Sequence, residues 1–341
     1  MVRKHLFVIN PNSFRKSGSM DVFVNYVRDI FETQIKMNYD IRISRFPRHA
    51  IRIVRGYITQ AGEDVIVRVY AVGGDGILFD CLNGLMGLPN AELASIPYGR
   101  GNDFIRSFGE GLFDLFRDVA SMSCAPVVDT DVMHCGNMYS LLYCSIGIES
   151  DAAIRAKYML GDVINHWPVF LRKSNFVFNM IIYICGFLAM FNRKVMNQEY
   201  TVDMDGRNFS GLYAIINMAN SPCYGGDKNP VVTAMPNDGY LDVMFFKGIT
   251  PIRGLGAIIP YLSGCAYKIP KEFFLKRAKT ISIHSDKPLV VGIDGEMFFE
   301  TNINVEVLSN AVKIVAPAGL EYKNKCKFYE FQQLSKKFTN K

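Results

Sequence analysis

Two glycine-rich turns in the first third of the chain are suited to binding phosphate. Residues 72–76 (VGGDG) directly follow an apolar run and precede a helical pattern, and residues 99–103 (GRGND) follow a second such run. Adjacent glycines let the backbone approach a phosphate, and the amides of a helix N-terminus attract anions. Asp75 would repel a phosphate, so it indicates handling of metal, water or a hydroxyl group. The simpler interpretation of Asp75 is an N-cap in a tight turn.

A third polar turn, residues 10–13 (NPNS), follows the first apolar run of the chain. Its backbone and side-chain donors could contact a nucleotide. Neither a G-x-x-x-x-G-K-[ST] loop nor a G-x-G-x-x-G fingerprint occurs in the sequence, so none of the three turns is a Walker A loop or a dinucleotide-binding fingerprint.

The elements that must position these turns alternate between strand and helix up to about residue 127. Strands are predicted at 6–9, 41–44 and 64–72 and before residue 97; helices are predicted after an N-cap at Ser19, at 50–60 and at 78–85. This alternation predicts an α/β domain with a parallel sheet, in which ligands bind at the carboxyl ends of the strands. The turns should therefore share one crevice.

The pattern changes after about residue 127. Short β-branched and aromatic runs are separated by turn dipeptides, such as Asp205-Gly206 and Asp294-Gly295, that are typical of hairpins. This pattern predicts an antiparallel β-sandwich or barrel, interrupted by helices over 165–192. We therefore predict a nucleotide-binding α/β domain over 1–127, a β-sandwich domain over 128–318, and a helical segment over 319–341 that packs back on the first domain.

Composition excludes several classes of protein. Lys and Arg number 38 against 32 Asp and Glu, and the resulting net charge of +6 is too small to indicate a nucleic-acid partner. The eight cysteines include no C-x-x-C pair, which favours buried thiols in a reducing compartment. The longest apolar stretch, 176–191, is shorter than the ~20 residues that span a bilayer. With no signal peptide visible, a cytoplasmic protein is expected.

The three turns together resemble the catalytic domain of diacylglycerol kinases and related lipid kinases, including sphingosine kinases and the bacterial soluble forms. That family carries N-P-x-[SA]-G, then G-G-D-G-T, then P-x-G-T-x-N-D-F, and residues 10–14, 73–77 and 97–104 follow this order. Later segments, GG at 225–226, MPNDGYLDV at 235–243 and IDGE at 293–296, resemble further family motifs. The resemblance spans residues 8–296.

The resemblance implies an ATP- and Mg²⁺-dependent kinase for a lipid hydroxyl, such as that of diacylglycerol, with an NAD-kinase-like α/β domain and a β-sandwich domain. Glu296 would be the general base that takes the hydroxyl proton, with Asp294 beside it and Asp75 organising catalytic Mg²⁺. A structural Mg²⁺ would bind the Asp238 carboxylate and the backbone carbonyls of Met235 and Tyr240, because hard oxygen ligands suit this ion. The nucleotide would contact Asn10, Pro11, Asn12, Ser13, Ser44, Gly73, Gly74, Asp75, Gly76, Ile77, Gly99, Arg100, Asn102 and Asp103.

Three departures from the family pattern leave alternatives open. The glycine after residues 10–13 is missing, and Ile77 and Arg100 replace threonines that would donate hydroxyl groups near the phosphates. Arg100 could compensate, because a guanidinium binds phosphate with two hydrogen bonds. The alternatives are a related kinase that acts on a soluble nucleotide such as NAD, and a regulator that binds lipid or nucleotide with weak or no turnover.

The expected partner is a lipid substrate at the inner face of the membrane. Arg48, Arg52 and Arg55 are predicted on one face of a helix, where they would bind phosphate or anionic headgroups or form a solvated surface. The apolar region 167–191 would line an acyl-chain site, touch the membrane or pack in the core. A homodimer through an exposed sheet edge also stays open.

Overall fold

The computed structural model describes residues 2–15, 19–99, 101–159, 175–226 and 228–339. Arg100 and residues 160–174 of the predicted helical stretch 165–192 lie outside these ranges. Up to Cys124 strands and helices alternate, in the order β1 Val2–Ile9, α1 Met20–Asp29, β2 Tyr39–Ile43, α2 His49–Ala61, β3 Val65–Gly73, α3 Asp75–Leu85, β4 Ala91–Pro97, α4 Phe113–Arg117 and α5 Val119–Cys124.

The first four strands form the predicted parallel sheet, in the order β2-β1-β3-β4. Ile9 lies opposite both Ile43 and Val72, and Gly73 lies opposite Pro97, so the four carboxyl ends meet at one edge. The central strands are buried because helices cover them, as expected of parallel strands. The predicted N-cap of α1 is confirmed, since Ser19 Oγ accepts a hydrogen bond from the Asp21 amide at 3.2 Å.

The second half of the chain is rich in β-structure. Its elements are β5 Val127–Cys135, β6 Met138–Ser140, β7 Tyr143–Gly147, α6 Ile148–Tyr158, α7 Asn175–Phe191, α8 Arg193–Met196, β8 Gln198–Met204, β9 Arg207–Asn208, β10 Gly211–Ala219, β11 Leu241–Lys247, α9 Pro251–Leu262, β12 Phe273–Ala278, β13 Thr280–Ile293, β14 Glu296–Val315 and α10 Phe328–Thr339.

These strands pair mainly antiparallel, in the order β12-β11-β10-β7-β13-β14. The hairpins predicted at Asp205-Gly206 and Asp294-Gly295 are confirmed, with positive φ at all four residues. The short β-branched runs at 280–284 and 305–307 lie within the longer strands β13 and β14. Polar residues alternate outward along both strands.

Strand β14 joins the two halves of the molecule. Its last residues pair antiparallel with β5, and Lys313 and Ile314 also lie parallel to Glu92 and Leu93 of β4. The α/β sheet therefore continues into the β-rich part through the hydrogen bonds of β14.

The C-terminal segment contacts the α/β part, on which the sequence predicts that it packs, and also the β-rich part. Tyr322 is buried against Phe104 and Phe108 of the α/β part. Helix α10 instead packs on the β-rich part, where Phe331 joins the core that contains Phe273. Among the residues that the structure describes, no helix has both the length and the apolar character to cross a membrane.

Candidate active site

The predicted turns meet at the carboxyl edge of the parallel sheet. The Asn10 amide donates to the Val72 carbonyl at 3.0 Å, and the Gly99 amide donates to the Gly73 carbonyl at 2.9 Å. The Ser44 amide, after β2, donates to the carbonyl of the last residue of β1 at 2.8 Å. The predicted turns therefore lie together at one edge of the sheet.

Glycine is required at Gly99 because the backbones of two turns touch there. A Cβ atom on Gly99 would lie 2.2 Å from the Gly74 Cα, far inside van der Waals contact. A Cβ on Gly101 would lie 2.7 Å from Asp75 Oδ2. The absence of a Cβ atom at these glycines thus allows the turns to pack directly against one another.

Asp75 joins two turns and does not cap its own helix. Gly74 is the N-cap residue of α3, and the Asp75 carboxylate accepts hydrogen bonds from the amides of Asp103, at 3.0 Å, and Phe104, at 3.3 Å. Burial, and then the neighbouring Asp103 charge, raise the pKa of Asp75 to about 7. A cation bound beside Asp75 would therefore lower this pKa and favour the ionised carboxylate.

Asp103 connects the α/β part to the β-rich part. One of its oxygens accepts a hydrogen bond from the Gly226 amide at 2.9 Å, and the other lies 3.7 Å from Arg106. Burial raises the pKa of Asp103 as well. The N-D-F and G-G motifs of the sequence therefore contact each other across the cleft.

Asp294 holds a neighbouring turn through several hydrogen bonds. Its carboxylate accepts from Ser140 Oγ at 2.5 Å and from the amides of Leu141, Leu142 and Tyr143 at 3.0–3.1 Å. Burial raises its pKa to about 6 against these donors. Because both Asp294 oxygens already accept hydrogen bonds, this residue positions the turn at 140–143. Glu296, two residues later, is more open to a substrate.

Glu296 lies half-buried at the start of β14, between cations from both halves of the molecule. Its Oε2 is 3.6 Å from Arg48, which precedes α2, and 3.6 Å from Lys157 on α6. Arg48 also pairs with Asp80 of α3 at 3.1 Å and lies over the Phe79 ring. The arginine thereby ties the hairpin tip to the helix that begins at Asp75.

The positions of Arg48 and Arg55 explain part of the predicted basic face. Arg48 adopts a left-handed conformation, with φ at 65°, just before the helix. Arg55 donates to the carbonyls of Asn83 and Met86 on α3. Arg52, on α2, is exposed.

The segment predicted to hold structural Mg²⁺ already contains a cation. Arg277 lies 2.9 Å from Asp238 Oδ2 and 2.7 Å from Asp242 Oδ1, and its guanidinium faces the Tyr240 ring. The donor set of Met235, Asp238 and Tyr240 therefore does not fit Mg²⁺ in this arrangement, since its single carboxylate is paired. In the part of the chain that the structure covers, no three acidic, histidine or cysteine side chains gather as a metal site.

A buried acidic network was not predicted from the sequence. Glu149, at the start of α6, accepts hydrogen bonds from Tyr261 at 2.9 Å, Asn217 at 3.2 Å and Tyr224 at 3.3 Å. Burial raises the pKa of Glu149 to about 7. The Tyr143 ring is stacked on Tyr224, and the Tyr143 amide donates to Asp294, so this network adjoins the turn that Asp294 holds.

The remaining predicted nucleotide contacts differ in exposure. Ile77 is 4% exposed and faces Gly73, and Asn102 is buried with its side chain bonded to Gly99. Asn12 and Gly76 are exposed, whereas Pro11 and Ser13 are partly buried. These residues lie on the turns at the sheet edge or in the first turn of α3, whereas Asp238 and Tyr240 contact Arg277. Met235 packs against the hydrophobic core that contains Leu6 and Val8.

Comparisons with known proteins agree with this architecture. Residues 4–135 match the diacylglycerol kinase catalytic domain, and residues 171–316 match the YegS C-terminal NAD kinase beta sandwich-like domain. A Staphylococcus aureus protein provisionally named a lipid kinase is 24% identical over 266 residues, covering 72% of this chain and 76% of that protein.

Crystal structures of two Bacillus anthracis proteins share the fold. One is described provisionally as a diacylglycerol kinase, with a TM-score of 0.69 and 20% identity. The other is described as a diacylglycerol kinase, with a TM-score of 0.64 and 18% identity. Each alignment covers 93% of this chain and 98% of the other.

Proposed function

The chain belongs to the diacylglycerol kinase catalytic-domain family, and on that premise we propose that it transfers the γ-phosphoryl group of ATP to the hydroxyl of a lipid such as diacylglycerol. The observation that carries the proposal is the link between the hairpin tip at Glu296 and α3, the helix that begins at the first glycine turn. Arg48 connects them, because it contacts both Glu296 and Asp80 of α3.

The glycine turns suit the triphosphate of the nucleotide. Their backbones pack without Cβ atoms, and the N-terminus of α3 adds amide donors and the positive end of its dipole. Phosphoryl transfer depends mainly on positioning and charge stabilisation. Asp75, which joins the two turns, would hold a magnesium ion bound with ATP, and that ion would neutralise phosphate charge.

Glu296 suits the acceptor side of the reaction. In the proposed step the lipid hydroxyl oxygen bonds to the γ-phosphorus, the bond from that phosphorus to the β–γ bridging oxygen breaks, and ADP leaves. The hydroxyl proton passes to the Glu296 carboxylate, which Arg48 and Lys157 hold in the cleft at 3.6 Å each. Asp294 positions this tip through its bonds to residues 140–143.

A pair of glutamate variants tests the proposal. Glu296→Gln keeps the shape of the side chain and removes the base, so turnover with ATP, Mg²⁺ and detergent-dispersed diacylglycerol should fall by roughly 10²–10⁴. Glu300→Gln, at an exposed position on the same strand, is the matched control and should keep wild-type turnover. Equal turnover in Glu296→Gln and wild type would remove Glu296 from this role.

A further inference from the structure

Arg48 has an unusual backbone conformation at the start of α2. Its φ of 65° and ψ of 4° are left-handed, and a non-glycine residue rarely adopts this conformation unless the surrounding structure fixes it. The conformation directs the side chain out of the regular helix, toward α3 and the hairpin tip at Glu296. Backbone strain of this kind clusters at functional sites, so it indicates a use for the Arg48 guanidinium.

The guanidinium of Arg48 is held in place on one side. Its Nη1 donates to Asp80 Oδ1 at 3.1 Å, and its central carbon lies 4.7 Å from the centre of the Phe79 ring. The Phe298 ring of β14 lies 5.5 Å away. Because a carboxylate and two aromatic rings already order the side chain, Arg48 would lose little freedom on binding a ligand.

The rest of the guanidinium keeps donors for a ligand. Arg48 Nη2 is 3.6 Å from Glu296 Oε2, which is longer than a hydrogen bond, and the side chain is 33% exposed. Among the residues that the structure describes, this side chain donates its hydrogen bond to Asp80. A guanidinium carries five N–H donors in a planar fork that matches phosphate oxygens. Arg48 can therefore donate to a phosphate while it stays bonded to Asp80.

Open space on α3 connects the first glycine turn with Arg48. Gly76 is exposed in the first turn of this helix, and a Cβ atom on Gly76 would meet nothing within 4 Å. Asp80 follows four residues later, which places it on the same face, one turn along the helix. A phosphate chain bound at the amides of the first turn thus has room on this face, and Arg48 lies at its far end beside Glu296.

We propose that Arg48 binds the terminal phosphoryl group of the nucleotide through the part of its guanidinium that faces Glu296. This role rests on the proposed function, because it assigns the residue that holds the group to be transferred. It also gives a reason for the contact with Glu296. When this carboxylate takes the hydroxyl proton its negative charge disappears, and the guanidinium is left to stabilise the charge of the transferring group.

Calorimetry with ATP and with ADP, each with Mg²⁺ and without lipid, tests this role. Arg48→Met removes the cation, so the affinity for ATP should fall at least tenfold, which is the usual contribution of a hydrogen bond to a charged group. ADP lacks the terminal phosphoryl group, so its affinity should be unchanged. Arg28→Met, at an exposed position in the last turn of α1, is the matched control and should bind both nucleotides like wild type.

A second variant covers the loss of the ion pair with Asp80. Arg48→Lys keeps a cation there but has no planar fork, so its affinity for ATP should lie between those of wild type and Arg48→Met, again with ADP unchanged. Wild-type affinity for ATP in Arg48→Met would overturn the role of Arg48. Equal losses of ATP and ADP affinity in both variants would also overturn it, because they would indicate a structural role alone.

Turnover with detergent-dispersed diacylglycerol keeps the two proposals apart. In Arg48→Met turnover should fall by roughly 10²–10³, the share of one preorganised donor. The role of Arg48 stands if the loss of affinity is specific for ATP in a chain that phosphorylates no lipid. The kinase proposal stands, and the role of Arg48 falls, if Arg48→Met phosphorylates diacylglycerol at the wild-type rate.

Discussion

Replacing Glu149 by glutamine should change how the stability of the protein depends on pH. Burial raises the pKa of Glu149 from 4.5 to about 7, despite the hydrogen bonds from Tyr261, Tyr224 and Asn217. Between these two pH values the folded chain keeps a proton at Glu149 that the unfolded chain has lost. The stabilisation from this carboxyl is therefore complete below pH 4.5 and is lost as the pH rises through about 7.

The size of the effect follows from the pKa shift. Each unit of pKa difference corresponds to about 1.4 kcal/mol, so wild type should lose on the order of 3 kcal/mol at this site between the two pKa values. Glutamine keeps a similar shape and carries no titrating proton. The free energy of unfolding of Glu149→Gln, minus that of wild type, should therefore rise by on the order of 3 kcal/mol across this window.

Urea unfolding followed by circular dichroism measures this difference at pH values from below 4.5 to above 7. A constant offset between the curves is expected from changed hydrogen bonds, because the Asn217 amide faces a different partner in the variant. Glu63→Gln, at an exposed position after α2, controls for loss of one negative charge. A difference that stays flat with pH, or that falls as the pH rises, would refute the buried-acid account of Glu149.

Three further variants test separate parts of the structure. Gly99→Ala should weaken ATP binding at least tenfold by calorimetry, because its Cβ would meet Gly74 at 2.2 Å. Gly56→Ala, where a Cβ meets nothing within 4 Å, is the control and should keep wild-type affinity for ATP. Equal affinities of the two variants would show that the turns need not touch. Arg277→Met should lower the free energy of unfolding by about 3 kcal/mol, because it leaves the buried Asp242 unpaired. EDTA should leave the urea midpoint of the wild-type protein unchanged. Strong destabilisation of wild type by EDTA would instead favour a metal ion beside Asp238 and Asp242. Asp294→Asn should cost about 2 kcal/mol in urea unfolding, since one oxygen that accepts amide protons becomes a donor; an unchanged midpoint would contradict its structural role.

The meeting of the glycine turns was predictable because each turn is local in sequence. Each glycine turn follows an apolar run, and parallel strands bring their carboxyl ends to one edge, so Asn10, Gly73 and Gly99 could be placed together before any pairing was known. The hairpin tip at Asp294 was equally local, since a D-G pair between apolar runs favours a two-residue turn.

The contacts that the sequence did not predict join distant parts of the chain. Glu149 meets Asn217, Tyr224 and Tyr261, which come from separate elements of the β-rich part, and no spacing rule connects these positions. Arg277 reaches Asp242 because β11 and β12 pair with these residues opposite each other, which is a matter of sheet register.

The contacts of Arg48 could not be predicted from the sequence because they depend on its backbone conformation. Its helical spacing with Arg52 and Arg55 predicted a shared face, but its positive φ turns it out of the helix and toward Asp80 and Glu296. Non-glycine residues rarely adopt this conformation, so the sequence pattern favoured the regular helix. Lys157, the second cation at Glu296, comes from the β-rich part and carried no signal in the sequence.

The central claim is that a nucleotide at the glycine turns meets a lipid hydroxyl at Glu296. The most direct measurement uses ATP carrying heavy oxygen on its γ-phosphate, incubated with the full chain, Mg²⁺, dispersed diacylglycerol and NAD together, with products identified by mass. The account predicts the labelled phosphoryl group on the diacylglycerol hydroxyl in wild type and its near absence in Glu296→Gln. Label on NAD, or ATP binding without label on any acceptor, would contradict it.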